Sequence, residues 1–193
     1  MTGGTGPPLF VFAMPRFHLF GDSRHTAEQS GFFKWFMLDP VAADKPAPDR
    51  FAAHYRPNGP AFHDLTEFIV VEAEDDTLQS LELRLARTFI DHPRNGLFAR
   101  DIAKSLLRDA VDAPDAAALA DLANEIEFPR EGTVPVLTAR TIDVTLPQAP
   151  SPGYQVFLGK RGRYEQRLER DVLVLENYVR DAAPWLRMVL TAR

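Results

Sequence analysis

The chain has 193 residues, of which 45% are hydrophobic and 25% charged, with no cysteine and a formal net charge of -5 at pH 7. This composition provides enough apolar material for a core, and it excludes a disulfide framework, a zinc–cysteine site and thiol catalysis. The excess of acidic residues argues against a general nucleic-acid binder, because such domains are usually basic.

The N-terminus lacks the features of a secretory signal. No basic region precedes its first apolar stretch, and Pro15 and Arg16 interrupt that stretch. No apolar run approaches the ~18 residues that a membrane span needs. We therefore expect a cytoplasmic protein with no membrane partner, with a flexible leader over residues 1–8 and a single α+β domain over residues 9–193.

The N-terminal third of the chain is rich in predicted strands. Apolar runs predict buried strands over residues 9–14 and 31–38, and residues 66–72 read as a further strand. Between them, five prolines predict a long ordered surface loop over residues 39–63. Loops of this length are uncommon in compact domains and often carry function.

The middle third predicts three helices. Asp76 is placed to cap a helix that runs to about residue 88, and Asn95 is placed to cap a second helix. Ile102 and Leu106 of that second helix are expected to face the core. Pro114 lies in the first turn of a third helix that ends near residue 126.

The last third returns to predicted strands, over residues 134–137, 141–146, 154–158, 170–177 and 185–190. Strands at both ends with helices between them predict an α+β fold. We expect a mostly antiparallel sheet built from N- and C-terminal strands, with about three helices from the middle of the chain packed on it.

A short basic segment between two apolar runs is the clearest candidate for binding an anion. It reads Gly159-Lys160-Arg161-Gly162-Arg163. Backbone N–H groups in a glycine turn, together with arginine side chains, suit a phosphate or a carboxylate. The same segment also fits a solvated hairpin tip, where lysine and arginine discourage edge pairing. The sequence pattern of a phosphate-binding loop is absent, so nucleotide binding of that type has no support.

A basic stripe on the second predicted helix is a further candidate for binding an anion or a partner. Arg100, Lys104 and Arg108 recur every four residues and so lie on one helix face. The stripe fits an acidic partner segment, an anionic ligand or a solvated helix face. The sequence does not fix whether this stripe and the basic segment meet in space.

Four residues near the N-terminus are candidates for acid–base or nucleophilic chemistry: His18, Asp22, Ser23 and His25. Two imidazoles and a carboxylate on one turn can share a proton or ligate a metal. Gly21-Asp22-Ser23 also resembles the nucleophile block of GDSL-type (SGNH) esterases. That family expects a Gly-x-Asn-Asp block and a late Asp-x-x-His, and both are missing. The family is therefore not assigned, Ser23 stays a candidate, and no metal or cofactor is predicted.

Aromatic residues in the predicted strand over 31–38 indicate burial within the domain, with a protein–protein interface or an apolar ligand cavity as the alternatives. Phe33 and Trp35 are expected to point to one face of that strand and Phe36 to the other. One face can be buried in the domain's own core. The other face needs a cover, which is a helix of the same chain or a second subunit.

The function expected from these features is non-enzymatic binding, by a protein that is an oligomer or a subunit of a larger assembly. A hydrolase or transferase acting on an anionic small molecule is the alternative, with the basic segment holding the anion and His18 or His25 supplying acid–base chemistry. Contact with nucleic acid through local basic patches is a second alternative, which the net acidic charge disfavours.

Overall fold

The computed structural model describes residues 17–19, 21–128 and 150–193. Its strands are β1 Leu38–Ala47, β2 Arg50–Pro57, β3 Thr66–Ala73, β4 Leu78–Ala86, β5 Arg163–Arg167, β6 Asp171–Arg180 and β7 Ala183–Ala192. They form one sheet in the order β1-β2-β3-β4-β7-β6-β5, and every neighbouring pair is antiparallel.

Six helices accompany the sheet in the described residues: α1 Arg24–Gln29, α2 Gly31–Trp35, α3 Arg87–Ile90, α4 Gly96–Asp109, α5 Ala113–Glu127 and α6 Pro152–Phe157. The mixed α+β architecture with an antiparallel sheet is therefore confirmed, but the helices number six rather than about three. The predicted leader over 1–8 and the predicted strands over 9–14, 134–137 and 141–146 lie outside the described residues.

The core lies against one face of the sheet. A row of five side chains crosses five neighbouring strands in register: Tyr55, Phe68, Leu83, Met188 and Leu175. Each of them is at most 1% exposed. Apolar residues of α4 and α5 join the same core cluster. This pattern follows from the period of two in each strand, which places alternate residues on the buried face.

The two strongest helical patterns of the sequence are confirmed as α4 and α5, and the strands predicted over 66–72, 170–177 and 185–190 are confirmed as β3, β6 and β7. In α4, Ile102 and Leu106 are fully buried, as the spacing predicts. Asn95 occupies the N-cap position of that helix, although its side chain makes no capping hydrogen bond.

The strand predicted over residues 31–38 is wrong, because residues 31–35 form α2. Ser30 caps this helix, and its Oγ accepts a hydrogen bond from the Phe33 backbone N–H at 3.4 Å. The aromatic run buries Phe32, Phe33 and Phe36 on one side of the helical turn. Met37, with a φ of 49°, then reverses the chain into β1.

The long loop predicted over residues 39–63 is also wrong, because most of it is the hairpin of β1 and β2. Pro40 and Pro46 lie in β1, which is an edge strand of the sheet. Proline is tolerated there because an edge strand does not need every N–H for pairing. The pairing of β1 with β2 is irregular after Pro40 and again after Asp44, as expected of a protected edge.

Two further predictions of local structure are wrong. Residues 78–86 form β4 rather than a helix, since the alternation of Leu81, Leu83 and Leu85 buries one strand face. Residues 152–157 form α6 rather than a strand, because Ser151 caps a helical turn that begins with Pro152. As a result, the basic segment over 159–163 joins a helix to β5 and is not a hairpin tip.

Candidate functional site

A cleft of about 420 Å³ brings the basic segment and the basic helix together. We call it the basic cleft. It lies between the turn that precedes α4 and the residues that follow α6. Its described lining consists of Ile90, Asp91, His92, Pro93, Gly96, Leu97, Arg100, Leu158 and Lys160. Arg100 comes from the predicted stripe and Lys160 from the predicted loop, so one member of each candidate set lines the same space.

The loop that carries Lys160 is held in a fixed conformation by Asn177 of β6. The Asn177 Nδ2 donates to the backbone oxygens of Val156 and Arg161, both at 2.7 Å. The Asn177 backbone N–H donates to the Gly162 oxygen at 2.8 Å. Within the loop, the Lys160 backbone N–H donates to the Gln155 oxygen at 2.8 Å. These bonds fix the backbone from which the Lys160 side chain extends.

Arg87 is the buried support beneath this loop. It is 8% exposed, and its guanidinium donates to the Phe157 backbone oxygen and, at 2.8 Å, to Asp91 Oδ1. Burial lowers the pKa of Arg87 below its ordinary value, and the negative charge of Asp91 opposes that effect. Asp91 is largely exposed and lines the cleft, and the guanidinium of Arg87 compensates its negative charge there.

Arg100 is held in place without a carboxylate partner in the described part of the chain. Its Nη1 donates to the Ile126 backbone oxygen at 3.2 Å and to the Tyr154 hydroxyl at 3.4 Å. Its guanidinium carbon lies 5.6 Å from the centre of the Phe157 ring. All of these partners are neutral. Among the described residues, the charge of Arg100 is therefore positioned at the cleft without a carboxylate partner, an arrangement that suits an anion site.

His92 adds a hydrogen-bond donor to the cleft. Its Nδ1 accepts the backbone N–H groups of Arg94 at 3.2 Å and of Asn95 at 3.0 Å. A neutral imidazole that accepts at Nδ1 carries its hydrogen on Nε2. The exposed side of the ring therefore presents an N–H donor. No sequence pattern points to this role, because His92 lies in a segment that reads only as a helix break.

Lys104, Arg108, Arg161 and Arg163 of the two candidate sets make polar contacts outside the cleft. Lys104 and Arg108 each lie 2.8 Å from Glu127, and Lys104 also lies 3.0 Å from Asp101. The hydrogen bond from Lys104, followed by that from Arg108, holds the pKa of Glu127 below its ordinary value.

In the loop itself, Arg161 Nε donates to the Arg163 backbone oxygen at 2.9 Å, and Arg163 pairs with Glu165 at 3.2 Å. The predicted stripe is thus largely neutralised, and Lys160 is the loop cation that lines the cleft.

The N-terminal candidates lie at the other end of α4. His18 Nδ1 is 3.3 Å from the Val111 backbone oxygen and 3.3 Å from Asp112 Oδ1, just beyond the C-terminus of that helix. The basic cleft is at its N-terminus. A 14-residue helix spans about 20 Å. The basic segment and His18 therefore do not line one pocket.

The same turn gives the other three candidates structural positions. Asp22 Oδ2 accepts the His18 backbone N–H at 2.8 Å, and Ser23 Oγ caps α1 by accepting the Thr26 N–H at 3.3 Å. His25 is exposed on α1. Within the described residues, no group of three or more histidine, aspartate or glutamate side chains is arranged to hold a metal ion.

The aromatic candidates divide between the core and the surface. Phe33 and Phe36 are 3% and 2% exposed, so they are core residues of this chain. Trp35 is 72% exposed, and Met37 and Val41 nearby in the sequence are 48% and 44% exposed. We call these three residues the Trp35 patch. Of the predicted interface residues, only Trp35 is available to a partner.

Two other cavities are lined by charges that compensate one another. In the first, Arg24 stacks at 4.8 Å on Phe51 and lies 3.4 Å from the buried carboxylate of Glu72. In the second, Glu67 accepts hydrogen bonds from Arg180 at 2.6 Å and from Arg84 at 3.0 Å. The basic cleft differs from both because the partners of Arg100 in the described ranges are neutral.

No described helix is both long enough and apolar enough to cross a lipid bilayer. Comparison with protein-family models, with curated proteins and with solved structures gave no match to the chain.

Proposed function

We propose that this chain is a non-enzymatic binding protein whose basic cleft holds an anionic ligand with an apolar body. The observation that carries the proposal is the meeting of Arg100 and Lys160, which are distant in the sequence, in one cleft. Arg100 is fixed there by neutral partners, so its charge is available to a ligand.

The lining of the cleft defines the chemical class of this ligand. A guanidinium and an ammonium group favour a carboxylate or a phosphate. Ile90, Leu97 and Leu158 supply apolar walls beside these cations. A volume of about 420 Å³ lies within the range of small-molecule sites. A small organic acid, with one anionic end and a short apolar body, meets all three conditions.

Binding is favoured over catalysis because the described lining holds no hydroxyl or thiol nucleophile beside His92. A hydrolase or transferase acting on an anionic small molecule remains the alternative. It would need His92 rather than His18 or His25 as its acid–base group, since those two lie away from the cleft. Nucleic-acid contact is the least supported function, because Glu127 forms ion pairs with Lys104 and Arg108 and so reduces the positive charge of the stripe.

Calorimetric titration with hexanoate and with inorganic phosphate tests the proposal. Hexanoate has a carboxylate and an apolar chain, and phosphate has only the anionic part. We expect hexanoate to bind more tightly than phosphate. Arg100→Gln and Lys160→Gln are each expected to weaken binding about tenfold or more, since a hydrogen bond to a charged group contributes about 1.5–3 kcal/mol. Lys104→Gln is the matched control on the same helix and should leave affinity unchanged. Equal affinity in all four proteins would refute the proposal.

A second candidate activity is self-association or docking to a protein partner through the Trp35 patch. Its support is the 72% exposure of Trp35, with two other exposed apolar side chains close to it in the sequence. Association through the sheet edges is less favourable. The edge strand β1 carries two prolines, and the edge strand β5 is short and charged. A cytoplasmic location stays a prediction from the sequence.

A further inference from the structure

Two buried aspartates connect the first turn of α5 to the turn between β5 and β6. Asp115 is 1% exposed and Asp171 is 2% exposed. Asp115 Oδ1 accepts the backbone N–H of Glu169 at 2.8 Å, and Asp115 Oδ2 accepts that of Arg170 at 3.2 Å. Residues 168–170 form the β5–β6 turn, so one carboxyl group ties that turn to the helix.

Asp171 follows this turn directly, so its carboxyl group lies close to that of Asp115, which accepts the N–H groups of the two preceding residues. Its Oδ1 is buried and has no hydrogen-bond partner in the described part of the chain. Two adjacent carboxylates cannot both be ionised in a buried site without a large cost, so they retain one proton between them. Burial first, and the charge of Asp115 second, raise the pKa of Asp171 to about 7.

Among the described residues, the charged groups around the pair belong to α5, to the turn, to the end of β7 and to the segment before α1. On the α5 side, Asp112 is a third carboxylate, paired with Arg170 at 2.6 Å and 3.3 Å from His18 Nδ1. On the turn, Arg170 lowers the pKa of Asp171 but is half exposed, and Glu169 is exposed. Just after β7, the guanidinium of the exposed Arg193 donates a hydrogen bond to the Leu168 backbone oxygen at 3.1 Å.

We propose that Asp115 and Asp171 form a proton-dependent latch, which holds the β5–β6 turn against α5 while the two residues share a proton. When the proton is lost, repulsion between two buried carboxylates favours release of the turn into water. The latch lies at the end of β5 opposite the basic cleft, and it stands independently of the ligand proposed there.

The proton linkage fixes the pH range of the latch. In the released turn, Asp171 has an ordinary pKa near 4. Between about pH 4 and pH 7, the closed form holds one more proton than the open form. The opening equilibrium therefore rises by up to about tenfold per pH unit across this range and levels off above it.

Hydrogen–deuterium exchange of the Glu169 and Arg170 amides tests the latch, because Asp115 accepts both N–H groups. After correction for intrinsic exchange rates, we expect their protection to fall by up to about 100-fold between pH 5 and pH 7. Asp171→Asn has the same shape and no charge, and it should remove this pH dependence. Asp115→Asn should remove it too. The Lys160 amide, at the other end of β5, should show no such change.

Three outcomes would overturn the latch. Protection of the turn amides that is independent of pH would exclude a shared proton. The same pH dependence in Asp171→Asn would assign it to another group. If the turn amides exchanged as slowly as the Leu83 amide of the central strand β4 at every pH, the turn would not open separately from the rest of the fold.

Discussion

Gly159 lies directly against the buried guanidinium of Arg87. A Cβ atom added at position 159 would stand 3.2 Å from Arg87 Nη2, and the φ of Gly159 is +75°. That φ belongs to the left-handed region, which glycine adopts without a steric penalty. Gly159 is thus the first residue of the loop from which Lys160 extends into the lining of the basic cleft.

Gly159→Ala is therefore expected to destabilise the protein by about 1–2 kcal/mol, through backbone strain and crowding of Arg87. Gly162→Ala is the matched control, because nothing lies within 4 Å of a Cβ at that position. It should change the free energy of unfolding by less than about 0.5 kcal/mol. Urea denaturation of the two variants measures both values, and equal effects would contradict this role for Gly159.

Asn177→Asp tests the anchor of the same loop. The substitution keeps the shape of the side chain but replaces the donor that faces the Val156 and Arg161 oxygens with an acceptor. We expect a loss of about 1–2 kcal/mol in the free energy of unfolding, because two hydrogen bonds are lost and a carboxylate is placed against two carbonyl oxygens. Hexanoate affinity should fall as well.

Gln166→Glu is the control for that variant, since Gln166 Nε2 makes a single long bond of 3.3 Å near the surface. It should leave both stability and affinity close to those of the parent protein. An Asn177→Asp variant as stable as this control would show that the loop does not depend on its anchor.

Stability should depend on pH through Asp171. Its pKa is raised from 3.8 to about 7 in the folded state, so the folded protein holds the extra proton. The stabilisation is complete below about pH 4 and is lost as the pH rises towards 7. The loss is at most about 4 kcal/mol, since each pKa unit corresponds to about 1.4 kcal/mol.

Comparison of the parent protein with Asp171→Asn isolates this contribution. Urea unfolding at pH 5 and pH 8 is expected to show that the variant loses much less stability than the parent over this interval. Parallel pH dependence in the two proteins would mean that Asp171 does not carry the proton.

Self-association is tested at the Trp35 patch. If the patch is an interface, light scattering at micromolar concentration should give a mass above the 21.7 kDa of one chain, and Trp35→Ser should return it to one chain. Val179→Ser is the control, because Val179 is equally exposed at 72% but lies elsewhere, at the end of β6. A parent protein of one-chain mass, without a captured partner, would contradict the proposed interface.

The fold was predictable from the sequence where one periodicity dominated. In α4, Ile102, Leu106 and Leu107 fall on one face of a helix but on both faces of a strand, so burial of one face favours the helix. In β4, by contrast, Leu78, Leu81 and Leu85 fit a helix while Leu81, Leu83 and Leu85 fit a strand. Pairing with β3 and β7 decides between the two, and that contact is distant in the sequence.

The N-terminal caps of two short helices are visible in the sequence, but the apolar runs that follow them indicated strands. Ser30 precedes α2 and Ser151 precedes α6, and each accepts the N–H three residues later. Capping serines of this kind indicate short helices where an apolar run alone indicates a strand. The prolines of β1 indicated a loop, but they lie in a strand because an edge strand tolerates proline.

The candidate site was predictable only in part. Lys160 and Arg100 stand out as cations in basic surroundings, but their approach depends on how α6 and β5 pack beside α4. Arg87, His92 and Asn177 carry no signal in the sequence, because their roles arise from contacts with the loop and the turn before α4. The same holds for the Asp115–Asp171 pair, whose members lie in unrelated segments.

An NMR titration of the ¹⁵N-labelled protein with hexanoate shows whether the basic cleft binds an organic anion. We expect saturable chemical-shift changes that centre on the amides of Leu97, Arg100 and Lys160. These shifts should be absent when Arg100→Gln and Lys160→Gln are combined and should persist in Lys104→Gln. Shifts that centre elsewhere, or that survive unchanged in the double variant, would contradict the claim.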